Sequence, residues 1–259
     1  DDEKVWVLKD EFSGLRVRDY GVAEQAGVRG SDYEVLYDEG LPGGISFMIL
    51  VGKQSFAVRM KGVLGRHLIQ PVLAAFAVAH SLGLDLVRVA SAFQNFTTPP
   101  GRMRLISGVN GSLIIDDSYN ASPVAMREAL SALASLEVSG KKISVLGGMA
   151  ELGRFSVEEH RKIGELAVRL CDRVIAVGEL AREIEREARA VGIKDVRICS
   201  FKTSGEAAEA LAQEIQGGDV VLVKGSQSVR MERVVKALMH EPERAKELLV
   251  RQEWEWRDR

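Results

Sequence analysis

The chain has 259 residues, 46% of them hydrophobic and 28% charged, with 35 Lys and Arg against 37 Asp and Glu and a formal net charge of −2. That is room for one large domain or two ordinary ones of globular composition. The charge balance excludes a protein held to nucleic acid by its phosphates. No apolar run reaches the ~18 residues of a membrane span, and Cys171 and Cys199 in apolar surroundings read as thiols of a reducing cytoplasm, not as a disulfide frame or metal site.

In chain order, the acidic opening DDEKVWVLKDE lacks the pattern of a signal peptide. KVWVLK (4–9) and YEVLY (33–37) read as short strands. ISFMILVG (45–52) and SFAVRMKG (55–62) read as a hairpin turning at Lys53-Gln54. The Ala-rich run 72–82 is apolar nearly all round and predicts a buried helix capped by Gly83. A second helix is expected over 86–96. Pro99-Pro100-Gly101 then breaks the chain, because no helix continues through it.

Beyond the break, strands are expected at 103–108, 112–116, 142–148, 173–178, 195–200 and 219–225. The helices between them show the 3.6-residue period: Met126, Ala129, Leu130 and Leu133 on one face, Ile163, Leu166, Ala167 and Leu170 on another, Met231, Val234, Val235 and Leu238 on a third. Continuous apolar strands alternating with helices predict an α/β fold with a Rossmann-like, doubly wound, mostly parallel sheet. The charged end EPERAKELLVRQEWEWRDR reads either as a surface helix that docks one tryptophan and then frays or as a partner-binding tail; Trp254 and Trp256, two apart, cannot share one helical face.

Ligands of open parallel sheets bind beyond the carboxyl ends of the strands. After SLIID stand Asp117, Ser118, Tyr119, Asn120, Ala121, Ser122 and Pro123. Ser122 and Pro123 suit the first turn of a helix. Asp116, Asp117, Tyr119 and Asn120 fit either a nucleotide ribose site or an Asx-rich turn. After KISVLGG comes Met149-Ala150-Glu151-Leu152-Gly153, fitting an anion-binding turn or plain turn chemistry. Lys224 closes the last apolar strand, before Gly225-Ser226-Gln227-Ser228. A lysine there needs an anion to meet. No GxGxxG follows the first strand of this half, so a dinucleotide site is not indicated.

DDSYNASP, GGMAELG followed by His160, and VKGSQSVRME, in that order and spacing, resemble the C-terminal domain of the Mur ligases. Within that family they are similar to the branch that adds D-Ala-D-Ala to UDP-MurNAc-tripeptide. Gly65-Arg66-His67 resembles the end of the family's central ATPase domain, and Pro100-Gly101-Arg102 its hinge. The resemblance implies that residues 1–101 are the second half of that central domain. Residues 102–259 would be the C-terminal domain with a charged helical tail. It implies a cytoplasmic, ATP- and Mg²⁺-dependent amide ligase of peptidoglycan precursor synthesis, working through an acyl phosphate and monomeric at full length. Its partners would be UDP-MurNAc-tripeptide and D-Ala-D-Ala, with no nucleic acid and no membrane. By position, Asp117, Arg102 and His67 would meet ATP. Tyr119, Asn120 and Lys224 would be catalytic. Met149, Glu151, Gly153, Lys224 and Ser226 would hold the amino substrate. No residue of this chain would ligate the metal.

The pattern also departs from the family. No GxxGK[ST] loop is present, and Asp1-Asp2 resembles a point midway through the central domain. The chain is therefore expected to be the C-terminal part of a longer ligase and inactive alone. Leu68 and Pro71 stand where the family places asparagines. Gln227 replaces an arginine, and Gly148 an aspartate. The competing expectations are a non-catalytic nucleotide- or peptide-binding module, and a Mur or folylpolyglutamate-type ligase with another amino substrate.

Overall fold

The computed structural model describes residues 1–12, 14–191 and 197–256. It divides into two compact units, residues 1–36 with 43–97 and residues 37–42 with 98–259.

The first unit opens with two single helical turns, α1 (Glu3–Trp6) and α2 (Leu8–Glu11). The strand expected over 4–9 is not formed. The Asp2 carboxylate accepts from the Lys4 and Val5 amides at 2.9 and 3.1 Å, capping a turn and overriding the Val-x-Val alternation. Four strands follow in the order β1 (Tyr20–Gly21), β2 (Val28–Asp38), β3 (Leu41–Val51) and β4 (Gln54–Lys61). β3 and β4 pair antiparallel from Gly44↔Lys61 to Val51↔Gln54. The turn is thus Gly52-Lys53, one residue before the expected pair. Its first position needs φ > 0, which glycine supplies at +60°. α3 (Ile69–Ser81) and α4 (Leu86–Ala92) complete the unit. Phe76 of α3 is fully buried, with Phe56 and Phe93 at ring-centroid distances of 5.8 and 6.3 Å.

The second unit holds a six-stranded sheet in the order β5-β6-β10-β7-β8-β9. Its strands are β5 (Arg104–Ser107), β6 (Leu113–Asp117), β7 (Lys142–Gly147), β8 (Arg173–Val177), β9 (Arg197–Phe201) and β10 (Val220–Lys224). β5 is antiparallel to β6, and the other pairings are parallel. Residues 195–196 of the expected fourth parallel strand lie outside the described residues. Helices cover both faces: α5 (Pro123–Ala134), α6 (Ser156–Leu170) and α7 (Arg182–Ala190) pack in sequence, as do α8 (Ser204–Ala212) and α9 (Glu232–Leu238).

The side-chain alternation of the strands sets what reaches the site. Ile114, Val145, Val221 and Val223 belong to the core built with α8 and α9. Leu222 and Lys224, and Ile115 and Asp117, therefore point to the other face. α6 and α7 approach closely because residue 164 is glycine: a Cβ there would lie 2.4 Å from the Ile184 carbonyl oxygen. The tail does not form the continuous helix its composition suggested. It makes one turn, α10 (Ala245–Leu248), and later a 3₁₀ turn at Trp254–Trp256.

Candidate functional site

The carboxyl ends of β6, β10 and β7, side by side at the centre of the sheet, carry the three motifs. β6 and β10 are in register with Lys224 opposite Asp117. Lys224 Nζ donates to Asp117 Oδ2 at 2.6 Å and to the Asn120 carbonyl at 3.0 Å. Both side chains are buried, 3% and 10% exposed. The anion that a buried lysine requires is thus supplied by the chain itself. Asp117 Oδ1 accepts from the Met103 amide at 3.2 Å.

Asp116 points to the opposite face and accepts from the Gly101 and Ser118 amides at 3.1 and 3.2 Å. The Tyr119 amide donates to the Gly101 carbonyl at 3.1 Å. Gly101 has φ +72°, and a Cβ on it would lie 2.8 Å from the Tyr119 nitrogen, so this close approach requires glycine. The Arg102 guanidinium carbon sits 4.3 Å from the Tyr119 ring centroid, a cation–π contact. The segment 101–103 is in this way fastened to residues 116–119.

The loops after β7 and β10 are joined in the same manner. The Ala150 amide donates to Ser226 Oγ at 2.8 Å, and the Ser226 amide to the Gly148 carbonyl at 3.0 Å. Gly147 and Gly225 let the two backbones touch: a Cβ on Gly225 would lie 2.9 Å from the Gly147 Cα. A Cβ on Gly148 would lie 2.9 Å from that of Leu180, so the glycine at this position matches the space left by Leu180. His160 is fully buried and accepts at Nε2 from the Met149 amide at 2.8 Å. Its Nδ1 lies 2.6 Å from the Ser156 carbonyl, so Nδ1 carries the proton and donates. Burial holds the His160 pKa below its ordinary value, against smaller opposing effects of the Ser156 carbonyl and the Glu183 charge.

Two groups give the site opposite pH responses. Burial, more than the neighbouring Asp117 charge, pushes the Asp116 carboxyl from 3.8 up to about 6 despite its amide donors. Its folded form then binds protons more readily than the unfolded chain, so its contribution to stability rises as pH falls from about 6 to 3.8. His160 acts in the reverse sense: its neutral form is favoured on folding, and that contribution is lost as pH falls below its ordinary 6.5. Between pH 6.5 and 5, His160→Gln is expected to flatten the His160 part of the stability profile and leave the Asp116 part. Denaturant unfolding across that range checks it; an unchanged profile would contradict the His160 assignment.

A cavity of about 680 Å³ opens over these strand ends, walled by Asn120–Ser122, Ala150–Leu152, Ser226–Ser228, Arg230 and Trp256. The structure therefore brings Asn120, Glu151 and Ser226 to one cavity. Asp117 and Lys224 lie beneath it as a buried pair. Tyr119 and Arg102 stack at the edge of the same sheet end, with Tyr119 44% exposed. Met149 is corrected: its side chain is fully buried and its amide is taken by His160, so it supports the loop and does not line the cavity. Gly153 is exposed at φ +52° and is not part of the wall. His67 is exposed and lies in the first unit, in the 3₁₀ turn 66–68 before α3. Leu68, 9% exposed, is buried at that turn, and Pro71 occupies the first turn of α3, where proline costs no hydrogen bond. Arg230, within the VKGSQSVRME motif, and Trp256, in the tail, complete the wall.

Among the described residues, no three His, Cys, Asp or Glu side chains gather as a metal site. Asp117 is engaged by Lys224 and Asp116 by backbone amides. These residues do not fit a Mg²⁺ site. Nor is any described helix long and apolar enough to cross a membrane.

The family model for the Mur ligase glutamate ligase domain matches residues 101–227. The chain is 32% identical over 181 residues to the UDP-N-acetylmuramoyl-tripeptide--D-alanyl-D-alanine ligase of Bacillus subtilis, covering 70% of this chain and 39% of the relative. It is 38% identical over 175 residues to the ligase of the same name from Escherichia coli, covering 67% and 37%. Among solved structures it is similar to MurF from Acinetobacter baumannii (TM-score 0.74, 28% identity, 91% of this chain and 49% of that one). It is also similar to the Thermotoga maritima MurF ligase in complex with ADP (TM-score 0.73, 29% identity, 94% and 52%). The chain spans under two fifths of these curated relatives and about half of these structures. By its C-terminal domain, the chain belongs to the Mur ligase family.

Proposed function

We propose that this chain supplies the acceptor-binding portion of a MurF-type ligase, which joins D-Ala-D-Ala to UDP-MurNAc-tripeptide. In this reading residues 1–101 are the second half of the central ATPase domain and residues 102–259 the C-terminal domain, acting as a monomer in the cytoplasm. The observation that supports it most is the cavity whose walls are the three motif loops. Its lining holds the Glu151 carboxylate and the Asn120, Ser226 and Gln227 side chains, groups suited to hydrogen-bond the two ends of a zwitterionic dipeptide.

The chemistry is ATP-dependent amide formation. A carboxylate oxygen of the tripeptide attacks the γ-phosphorus and ADP leaves. The dipeptide nitrogen then attacks the acyl carbon, and phosphate and a proton depart. Arg102 would face the nucleotide, and Asp117, buried against Lys224, would shape that end of β6. Tyr119 and Asn120 would stand near the reacting groups. Glu151 and Ser226 would seat the dipeptide, with Gly153 shaping the loop. Lys224 fits a positioning role: its ammonium fixes Asp117 and the Asn120 carbonyl at once. The family's Mg²⁺ has no ligand set among the described residues, and no step here is assigned to it. A second reading keeps the chemistry with another amino substrate. It is favoured by Gln227, a neutral amide in the cavity wall where the family resemblance expects an arginine.

The test is calorimetric titration of the 259-residue chain with D-Ala-D-Ala and with Mg·ATP separately. Dipeptide heat with little nucleotide heat is expected. Incubation with ATP, tripeptide and dipeptide should give no pentapeptide, since the sequence carries no GxxGK[ST] loop. Product from this chain would overturn that division of labour.

A further inference from the structure

The tail after α10 is built into the site in a way that neither the motifs nor the ligase reading uses. Arg251 adopts φ +56°, a left-handed conformation that is unfavourable for a non-glycine residue and persists only where surroundings enforce it. Those surroundings are specific. Arg251 Nη1 donates to Glu232 Oε2 at 3.0 Å and to the Ser118 carbonyl at 3.2 Å, and Nη2 donates to the Tyr119 carbonyl at 2.5 Å. Glu232, 1% exposed, also accepts from Arg230 Nε at 2.5 Å. Arg230 Nη1 in turn donates to the Trp256 carbonyl at 2.6 Å.

One buried carboxylate therefore pins two arginines. Arg251 grips the loop after β6, and Arg230 grips the end of the tail. The Trp256 ring centroid lies 5.3 Å from the Arg230 guanidinium carbon and 5.9 Å from that of Arg251. The Trp256 side chain is half-buried, whereas Trp254 is 76% exposed. A tail that merely lies on the surface has no cause to bury a doubly bonded carboxylate beneath it.

We infer that the tail closes the acceptor cavity through Trp256, which lines it and limits the size of the acceptor, while Arg251 positions the Tyr119-Asn120 loop from behind. The identity of the acceptor, a short zwitterionic peptide, rests on the ligase reading; the wall itself does not. Arg251 holds the carbonyls of the two peptide groups whose amides belong to Tyr119 and Asn120. Trp256 lines the cavity that a dipeptide side chain would enter, and the two guanidinium groups near its ring hold it there.

Two measurements on the 259-residue chain test this. Arg251→Met should speed amide hydrogen exchange at Tyr119 and Asn120 by roughly tenfold or more and leave the α6 amides unchanged. Arg251→Lys, which keeps the charge without the fork, should fall between. Equal exchange at residues 119–120 in all three proteins would overturn the positioning role. Trp256→Ala should shift the ratio of affinities for D-Ala-D-Phe over D-Ala-D-Ala by roughly tenfold or more toward the larger dipeptide. An unchanged ratio would overturn the size limit. If the unaltered chain binds neither dipeptide, the acceptor reading and the size limit fail together. The exchange rates at residues 119–120 then decide whether the tail positions the loop.

Discussion

Replacing Lys224 by methionine is expected to lower the stability of the chain by about 3–5 kcal/mol, the usual cost of stranding a buried charge. Asp117 would be left 10% exposed, with the Met103 amide and no cation. The double variant Lys224→Met, Asp117→Leu should recover much of the loss, because an apolar pair of similar volume needs no counter-charge. Thermal and denaturant unfolding check both statements. A single variant as stable as the unaltered chain would contradict the cost assigned to stranding the Asp117 charge.

The second large effect is expected at Glu232. Glu232→Ala removes the carboxylate that accepts from both Arg230 and Arg251. Two cations would remain in a pocket where both arginine side chains are at most 10% exposed. A loss of about 3–5 kcal/mol is expected, or a fall in Tm of roughly 10 °C for a domain of this size. Glu232→Gln keeps the shape and one acceptor and should lose less. Because Arg251 also holds the Ser118 and Tyr119 carbonyls, the Ala variant should loosen the cavity wall before the sheet unfolds. Loss of Trp256 fluorescence ordering below Tm reads this out. A cooperative transition at an unchanged Tm would contradict it.

The second unit was largely legible in the sequence because its signals are local. Strands β6, β7, β8 and β10 are covered on both faces by helices, so they read as continuous apolar runs. Helices α5, α6 and α9 bury one stripe each, so they read by period. Ser122 caps α5 as its position requires, accepting from the Ala125 amide at 3.3 Å. The first unit was harder. Val5 and Val7 alternate like strand residues, yet Asp2 caps a helical turn there. The Gly52-Lys53 turn was misplaced by one residue because glycine, not the lysine-glutamine pair, decides where φ can be positive.

At the site, the motifs pointed to the right strand ends but not to how their groups are used. A buried Lys224 needs an anion, but its partner Asp117 lies 107 residues away, visible only once strand register is known. Met149 sits inside a functional-looking loop, but its side chain is core. The role of Arg251 is equally non-local: it reaches Glu232 across 19 residues and the Ser118 carbonyl across 133. The tail's charged composition suggested an exposed helix, whereas Arg251 is buried at a left-handed turn.

The most direct measurement is a ¹H–¹⁵N NMR titration of the chain with D-Ala-D-Ala. The account predicts shifts concentrated at the amides of Ala121, Ala150 and Ser226, around the 680 Å³ cavity. Shifts centred instead on the neighbouring 370 Å³ cavity by Gly178 and Thr203, or no shifts at saturating dipeptide, would contradict an acceptor site over β6, β7 and β10.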